Sequence, residues 1–190
     1  HVPLIEKLMD KNETEMRETE LYQRFQSLCE HAEVVIAMGD EASAALGTVA
    51  ENAVAKRQSD FVGDLLLGLH GDEEMRLSWQ EVRAFLSAGR LPRWGNLWQA
   101  WSSEAADVRS AMAAVQHVLS CGGALQAAKR VFVMVTGKEG ELSLSAVQKT
   151  MDELSALLDK QAEVLLHVNS ERQFDAGVRI NMAVQVERVC

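Results

Sequence analysis

The heptapeptide Arg130–Thr136 (RVFVMVT) constrains the fold more than any other stretch. Both of its alternating side-chain sets are apolar, so a strand built from it is buried on both faces and central in its sheet. Gly137–Gly140 marks a turn. Ser143–Asp159 then reads as an amphipathic helix, with Leu144, Val147, Met151, Leu154 and Leu158 on one face. Glu163–Val168 is a strand. Val178–Val186 (VRINMAVQV) alternates, with Val178, Ile180, Met182, Val184 and Val186 on one side. That pattern predicts a strand with one buried face and one wet face. Upstream, Arg90–Asn96 holds Pro92 and Gly95 and reads as a loop, and a strand lies among Trp94, Leu97, Trp98 and Trp101. Ser103 is expected to start a helix, Glu104–Leu119, that ends at Cys121-Gly122-Gly123. Residues 90–190 thus read β-α-β-α-β-β. The fold class is α/β (α+β), with a four-stranded mixed sheet and two helices on one face.

The preceding residues add long helices, which two prolines in 190 residues permit. Glu13–His31 has helical spacing. Val34–Met38 is a short apolar run closed by Gly39-Asp40 and reads as a buried strand. About Thr48 to Leu69 forms one helix of six turns, with Val49, Ala53, Phe61, Val62, Leu65, Leu66 and Leu69 as its apolar stripe. Gly68 and Gly71, around His70, mark its end. Gly71–Arg76 is a charged loop. Ser78 is an N-cap with Glu81 three residues on, before a helix carrying Trp79, Val82, Phe85 and Leu86.

The charge balance narrows the function classes. Twenty-eight acidic against 19 basic residues give a net charge of −9, which excludes a dominant nucleic-acid surface. No run of 18 apolar residues occurs, so no transmembrane helix and no membrane insertion are expected. Cys29, Cys121 and Cys190 are odd in number and widely spaced, which reads as free thiols in a reducing cytoplasm. The five histidines form no HxxxH or HxH pattern and none stands near a cysteine at ligand spacing, so no metal is expected. The acidic clusters Asp72-Glu73-Glu74 and Asp152-Glu153 read as solvated faces. No glycine-rich phosphate loop is present, and Gly137-Lys138-Glu139-Gly140 carries an acid where a cradle would meet phosphate. Trp79, Trp94, Trp98 and Trp101 form the unusual cluster. Core packing is the expected role, and an exposed partner patch at Trp94, Trp98 and Trp101 is the alternative.

Two stretches carry a resemblance. Ala128–Leu154 (AKRVFVMVTGKEGELSLSAVQKTMDEL) and Val168–Val186 (VNSERQFDAGVRINMAVQV) resemble the second domain of the tubulin/FtsZ family, and bacterial FtsZ in particular. In that family the first stretch is a strand, a TG turn and an LTL-x-E-V helix. The second is a strand, an acidic loop and a G-x-x-V-R-V-T-V strand. Arg24–Ser43 resembles the helix and strand before the guanine-contacting loop. Ala53–Leu66 is similar to the central helix that joins the two domains, and Leu77–Leu86 to the start of the second domain.

The resemblance also implies where the family's chemistry would fall. The guanine-contacting positions correspond to Gly39, Val49 and Ala53, none of which can read a base. The hydrolysis loop N-x-D-x-x-D corresponds to Arg76, Ser78 and Glu81, of which only Glu81 keeps a carboxylate. The family's GGGTGTG loop has no counterpart within the chain. GTP hydrolysis needs carboxylate-oriented water and a preorganised phosphate cradle. The resemblance therefore implies no catalytic residue, no cofactor and no GTPase activity in this chain, and GTP only for a full-length product with a first domain. It divides the chain into a remnant of the nucleotide-binding domain (1–47), a central helix with its following loop (48–75) and an FtsZ-like C-terminal domain (76–190). The implied role is filament-type contact with itself or with an FtsZ-type filament, in cell division or a related process. Two alternatives remain: a full-length, slowly hydrolysing filament former, and a stand-alone α/β module that binds a ligand or oligomerises.

Overall fold

The structure, a computed structural model, describes residues 34–38, 51–70, 76–88, 97–121, 125–171, 174 and 177–185. Along the chain the elements are β1 (Val35–Ala37), α1 (Glu51–His70), α2 (Trp79–Ser87), β2 (Leu97–Ala105), α3 (Val108–Cys121), β3 (Arg130–Lys138), α4 (Leu144–Ser155), β4 (Glu163–Glu171) and β5 (Val178–Gln185). The strands form one mixed sheet in the order β1-β2-β5-β3-β4. β5 is antiparallel to both β2 and β3, and β3 is parallel to β4. The expected four-stranded mixed sheet is present. It gains a fifth strand, because β1 pairs in parallel with the start of β2, Val35 opposite Leu97 and Ile36 opposite Trp98.

Each face of the sheet carries its own core. On one side α3 and α4 place Val108, Met112, Val115, Val147, Met151 and Leu154 against Val131, Val133, Val135, Ile180, Met182 and Val184. These are the two helices expected on one face. On the other side α1 and α2 place Phe61, Val82 and Leu86 against Trp98, Phe132, Met134 and Ala183. β3 is buried continuously from Val131 to Gly137, as its doubly apolar sequence requires.

Three local expectations change. The helix after β2 does not start at Ser103, because Leu97–Ala105 is all strand. The cap is Asp107, whose Oδ1 accepts from Ser110 N at 2.9 Å, and α3 begins at Val108. Sequence spacing alone placed the cap four residues early. Leu144 is exposed rather than on the buried face of α4, since it occupies the first turn just after the Ser143 cap. Val62 and Leu66 on α1 are also exposed. The third change concerns β5, whose second face was expected to be wet. It is covered by α1 and α2, and its polar residues are held there by partners. The Ser78 cap is present as expected, its Oγ accepting from Glu81 N at 3.4 Å.

Gly68 sets the distance between α1 and β4. A Cβ there would lie 2.7 Å from His167 Nε2 and 2.9 Å from Leu77 Cδ1. Alanine has the better helix propensity, by about 1 kcal/mol. The collision outweighs it, because both neighbours are themselves buried and packed. Gly68→Ala is expected to lower stability by about 1–3 kcal/mol, read as a lower urea midpoint with an unchanged slope.

Candidate functional site

The chemistry-bearing residues gather where α1 crosses the strand sheet. The buried stripe of α1 runs through Phe61, Asp64 and Gly68, so a carboxylate sits in the middle of an apolar face. Opposite it, β5 presents Arg179 and Asn181, the polar phase of its alternation. Arg179 Nη1 lies 3.0 Å from Asp64 Oδ1, its Nη2 lies 3.4 Å from Asp60 Oδ1, and Nε and Nη2 grip Glu104 Oε1 at 2.8 and 2.7 Å. Asn181 Nδ2 donates to Asp64 Oδ2. Lys56 closes the outer side, donating to Asp60 at 2.8 Å and to Glu104 at 3.0 Å. Three carboxylates from α1 and β2 therefore share two cations from α1 and β5. The Arg179 guanidinium also stands 4.9 Å from the Phe174 ring centroid.

The environment divides these acids. Burial pushes Asp64 above the ordinary carboxylate range and outweighs the opposing pull of Arg179, Thr136 and Asn181; its side chain is 3% exposed. Burial also acts upward on Glu104, yet the hydrogen bonds and charges of Lys56 and Arg179 overcome it and hold Glu104 below its usual value. A second polar chain continues from the cluster. Asn169 Nδ2 donates to the Asp64 carbonyl at 3.0 Å and to Thr136 Oγ1 at 3.2 Å. Its Oδ1 is then the acceptor for His167 Nε2 at 2.7 Å, which assigns the Nε2–H tautomer. Burial lowers the His167 pKa, against the smaller effect of Asn169, so the ring is held neutral.

The residues singled out from sequence fall elsewhere. Arg76, Ser78 and Glu81 share the α1–α2 junction. Arg76 and Glu81 are exposed, and the Ser78 hydroxyl serves as the α2 cap. Leu77 between them is buried and donates its N–H to Gly68 O at 2.8 Å, which fixes the junction against the end of α1. Gly39, Val49 and Trp94 lie outside the described residues, and Ala53 lies on α1 with its side chain outside them. Trp98 and Trp101 are core, not an interface patch. Trp98 is fully buried, donates Nε1 to Leu86 O at 3.1 Å and packs on Phe85 at 5.9 Å between centroids. Trp101 is 5% exposed and lies under Arg57. Among the described residues, the exposed tryptophan is Trp79. Among the described residues, no group of three or more His, Cys, Asp or Glu could hold a metal ion, and no helix is long and apolar enough to cross a membrane.

This arrangement of sheet, central helix and flanking helix pair recurs in solved structures. FtsZ from M. jannaschii matches as the W319Y mutant, with a TM-score of 0.65 and 16% identity over 89% of this chain and 50% of that one. The empty FtsZ dimer from the same organism gives 0.65 and 16% over 91% and 49%. CetZ from Methanosaeta thermophila gives 0.65 and 12% over 95% and 50%. The chain has a tubulin/FtsZ-like fold. It spans about half the length of these FtsZ and CetZ chains. No family model and no curated protein matches the sequence. Within the tubulin/FtsZ-like fold, the Asp64–Arg179 cluster was not anticipated from sequence. The available signal was one acid inside an apolar stripe on α1 and one polar phase on β5, with opposite charges.

Two outcomes test the junction. Asp64→Ala leaves Asn181 Nδ2 without its acceptor and removes one of the three carboxylates on Arg179, which keeps Asp60 and Glu104, and is expected to cost about 1–3 kcal/mol in chemical unfolding. The neutral His167 gives a pH dependence. Its folded pKa lies below the unfolded value of about 6.5, so the unfolded chain takes up the proton first as pH falls. Stability is full above that value and declines as pH drops through it towards the folded pKa. In urea titrations from pH 8 to 5, His167→Gln is expected to flatten this slope.

Proposed function

We propose that the chain acts as a divergent FtsZ-like cytoskeletal element, or as part of one, through end-to-end protein contacts and without GTP hydrolysis by its own residues. The observation that carries this reading is the match of the central helix and sheet to half of the FtsZ and CetZ chains. One of those matches is an FtsZ dimer, and a head-to-tail contact joins two different faces. A chain that presents one of the two can dock on the end of a filament. The α1–α2 junction supports the second half of the proposal. Among its described residues Arg76 and Glu81 are exposed, and the Ser78 hydroxyl is committed to capping α2. Water orientation at a subunit junction asks for carboxylates, whereas an arginine there gives an electrostatic contact to phosphate.

The same reading puts the protein in the cytoplasm, in cell division or a related process, with a second copy or an FtsZ-type filament as partner. The half-length match also favours a second form of the proposal. A longer product with a first domain would bind GTP, turn it over slowly and form stable filaments. Co-sedimentation with a polymerising FtsZ decides the first form. The chain is expected to pellet with the filaments and to reduce their assembly, and Arg76→Ala is expected to weaken both effects. No change in assembly at several-fold molar excess would remove the docking role.

A further inference from the structure

Beside the Arg179 cluster, a cavity of about 410 Å3 opens between α1, β2 and α3. Lys56, Arg57, Trp101, Ser102 and His117 line it, with Ala114 and Val118 as its apolar wall. Arg57 sits over the Trp101 ring, its Cζ 4.1 Å from the centroid. That contact engages the face of the guanidinium and leaves its N–H donors, which radiate in its plane, free to meet other acceptors. Arg57 Nη1 is buried with no hydrogen-bond partner, and so is Ser102 Oγ. Among the described residues Arg57 makes no ion pair. The nearby acids are already committed, Asp60 and Glu104 both to Lys56 and Arg179. Burial lowers the Arg57 pKa from the usual arginine value.

A cavity of this size accommodates a compact molecule. Its unmet groups are Arg57 Nη1 and the Ser102 hydroxyl, from two different elements, which one carboxylate can satisfy together. Asp60 and Glu104 also line it, each paired with Lys56, and disfavour a doubly charged anion. We propose that this cavity binds a small organic carboxylate, whose charged end accepts from Arg57 and Ser102 and whose apolar body lies on Ala114 and Val118. Because Nη1 is buried, an entering carboxylate shifts the guanidinium on the ring, and the Trp101 indole reports the event.

The test is a titration of the whole chain at constant ionic strength with sodium benzoate, benzylamine and inorganic phosphate. Binding is followed at the indole N–H resonances by NMR, with Trp101→Phe assigning the relevant signal. Benzoate is expected to shift the Trp101 signal saturably, with Kd on the order of 1 mM, and benzylamine to leave it in place. Arg57→Gln is expected to weaken benzoate at least about tenfold and Ser102→Ala by a few-fold, with the Trp98 signal unmoved as the check on folding. The proposal fails if benzoate gives no saturation up to roughly 100 mM, if benzylamine or phosphate binds as well as benzoate, or if Arg57→Gln binds benzoate like the parent. Should Arg57→Gln not fold, unaltered affinity in Ser102→Ala overturns it equally.

Discussion

Arg179 ties the two halves of this fold together. It comes from β5, the strand between β2 and β3, and reaches three carboxylates on α1 and β2. A guanidinium largely removed from water, as this one is, is tolerable only with its charge matched and its donors used. The central helix must therefore lie where Asp60 and Asp64 meet it, and β2 must present Glu104 at the same height. Apolar contacts through Phe61, Trp98 and Phe132 bring the layers together but leave their angle and offset loose. The ionic cluster removes that freedom, and Asn169 extends it by bonding the α1 backbone directly.

The cost of this arrangement is a set of ionisable groups partly removed from water, Asp64 the most. The protein meets it by sharing. Lys56 and Arg179 bracket Glu104 and Asp60, so neither acid is left single-handed. Asp64 is the deepest and the one whose charged form is least favoured. His167 avoids the cost by remaining neutral and donating to Asn169. One junction thus contains a charged solution and an uncharged solution to the same burial problem.

Much of the sheet was legible in the sequence, because its signals are local. The doubly apolar β3, the amphipathic α4 and the Ser78 cap each follow from spacing within a dozen residues. The wet face assigned to β5 failed for a physical reason: polarity on alternate residues has two meanings, solvent or a buried partner. Only the position of α1, 115 residues away from Arg179 in the Asp64 pairing, separates them. The strand boundary after Trp101 failed because Ser102, Ser103 and Glu104 look like a helix start. Ser102 is in fact buried and Glu104 is ion-paired. The positions read through the family resemblance landed on an exposed junction, Arg76 and Glu81, or beyond the described residues. The cluster that organises the fold has no motif to announce it.

The polar phase of β5 also acts as a ruler. A sheet face lined only with aliphatic side chains would look much the same after a strand slid by two residues, since the inward set repeats with that period. Here such a slide would carry Arg179 roughly 7 Å along the strand, away from Asp64 and Glu104, and would strand charges in a dry layer. Only one alignment of β5 between β2 and β3 satisfies the chemistry. The charged cluster thus gives the sheet a unique zero mark that hydrophobicity by itself cannot inscribe.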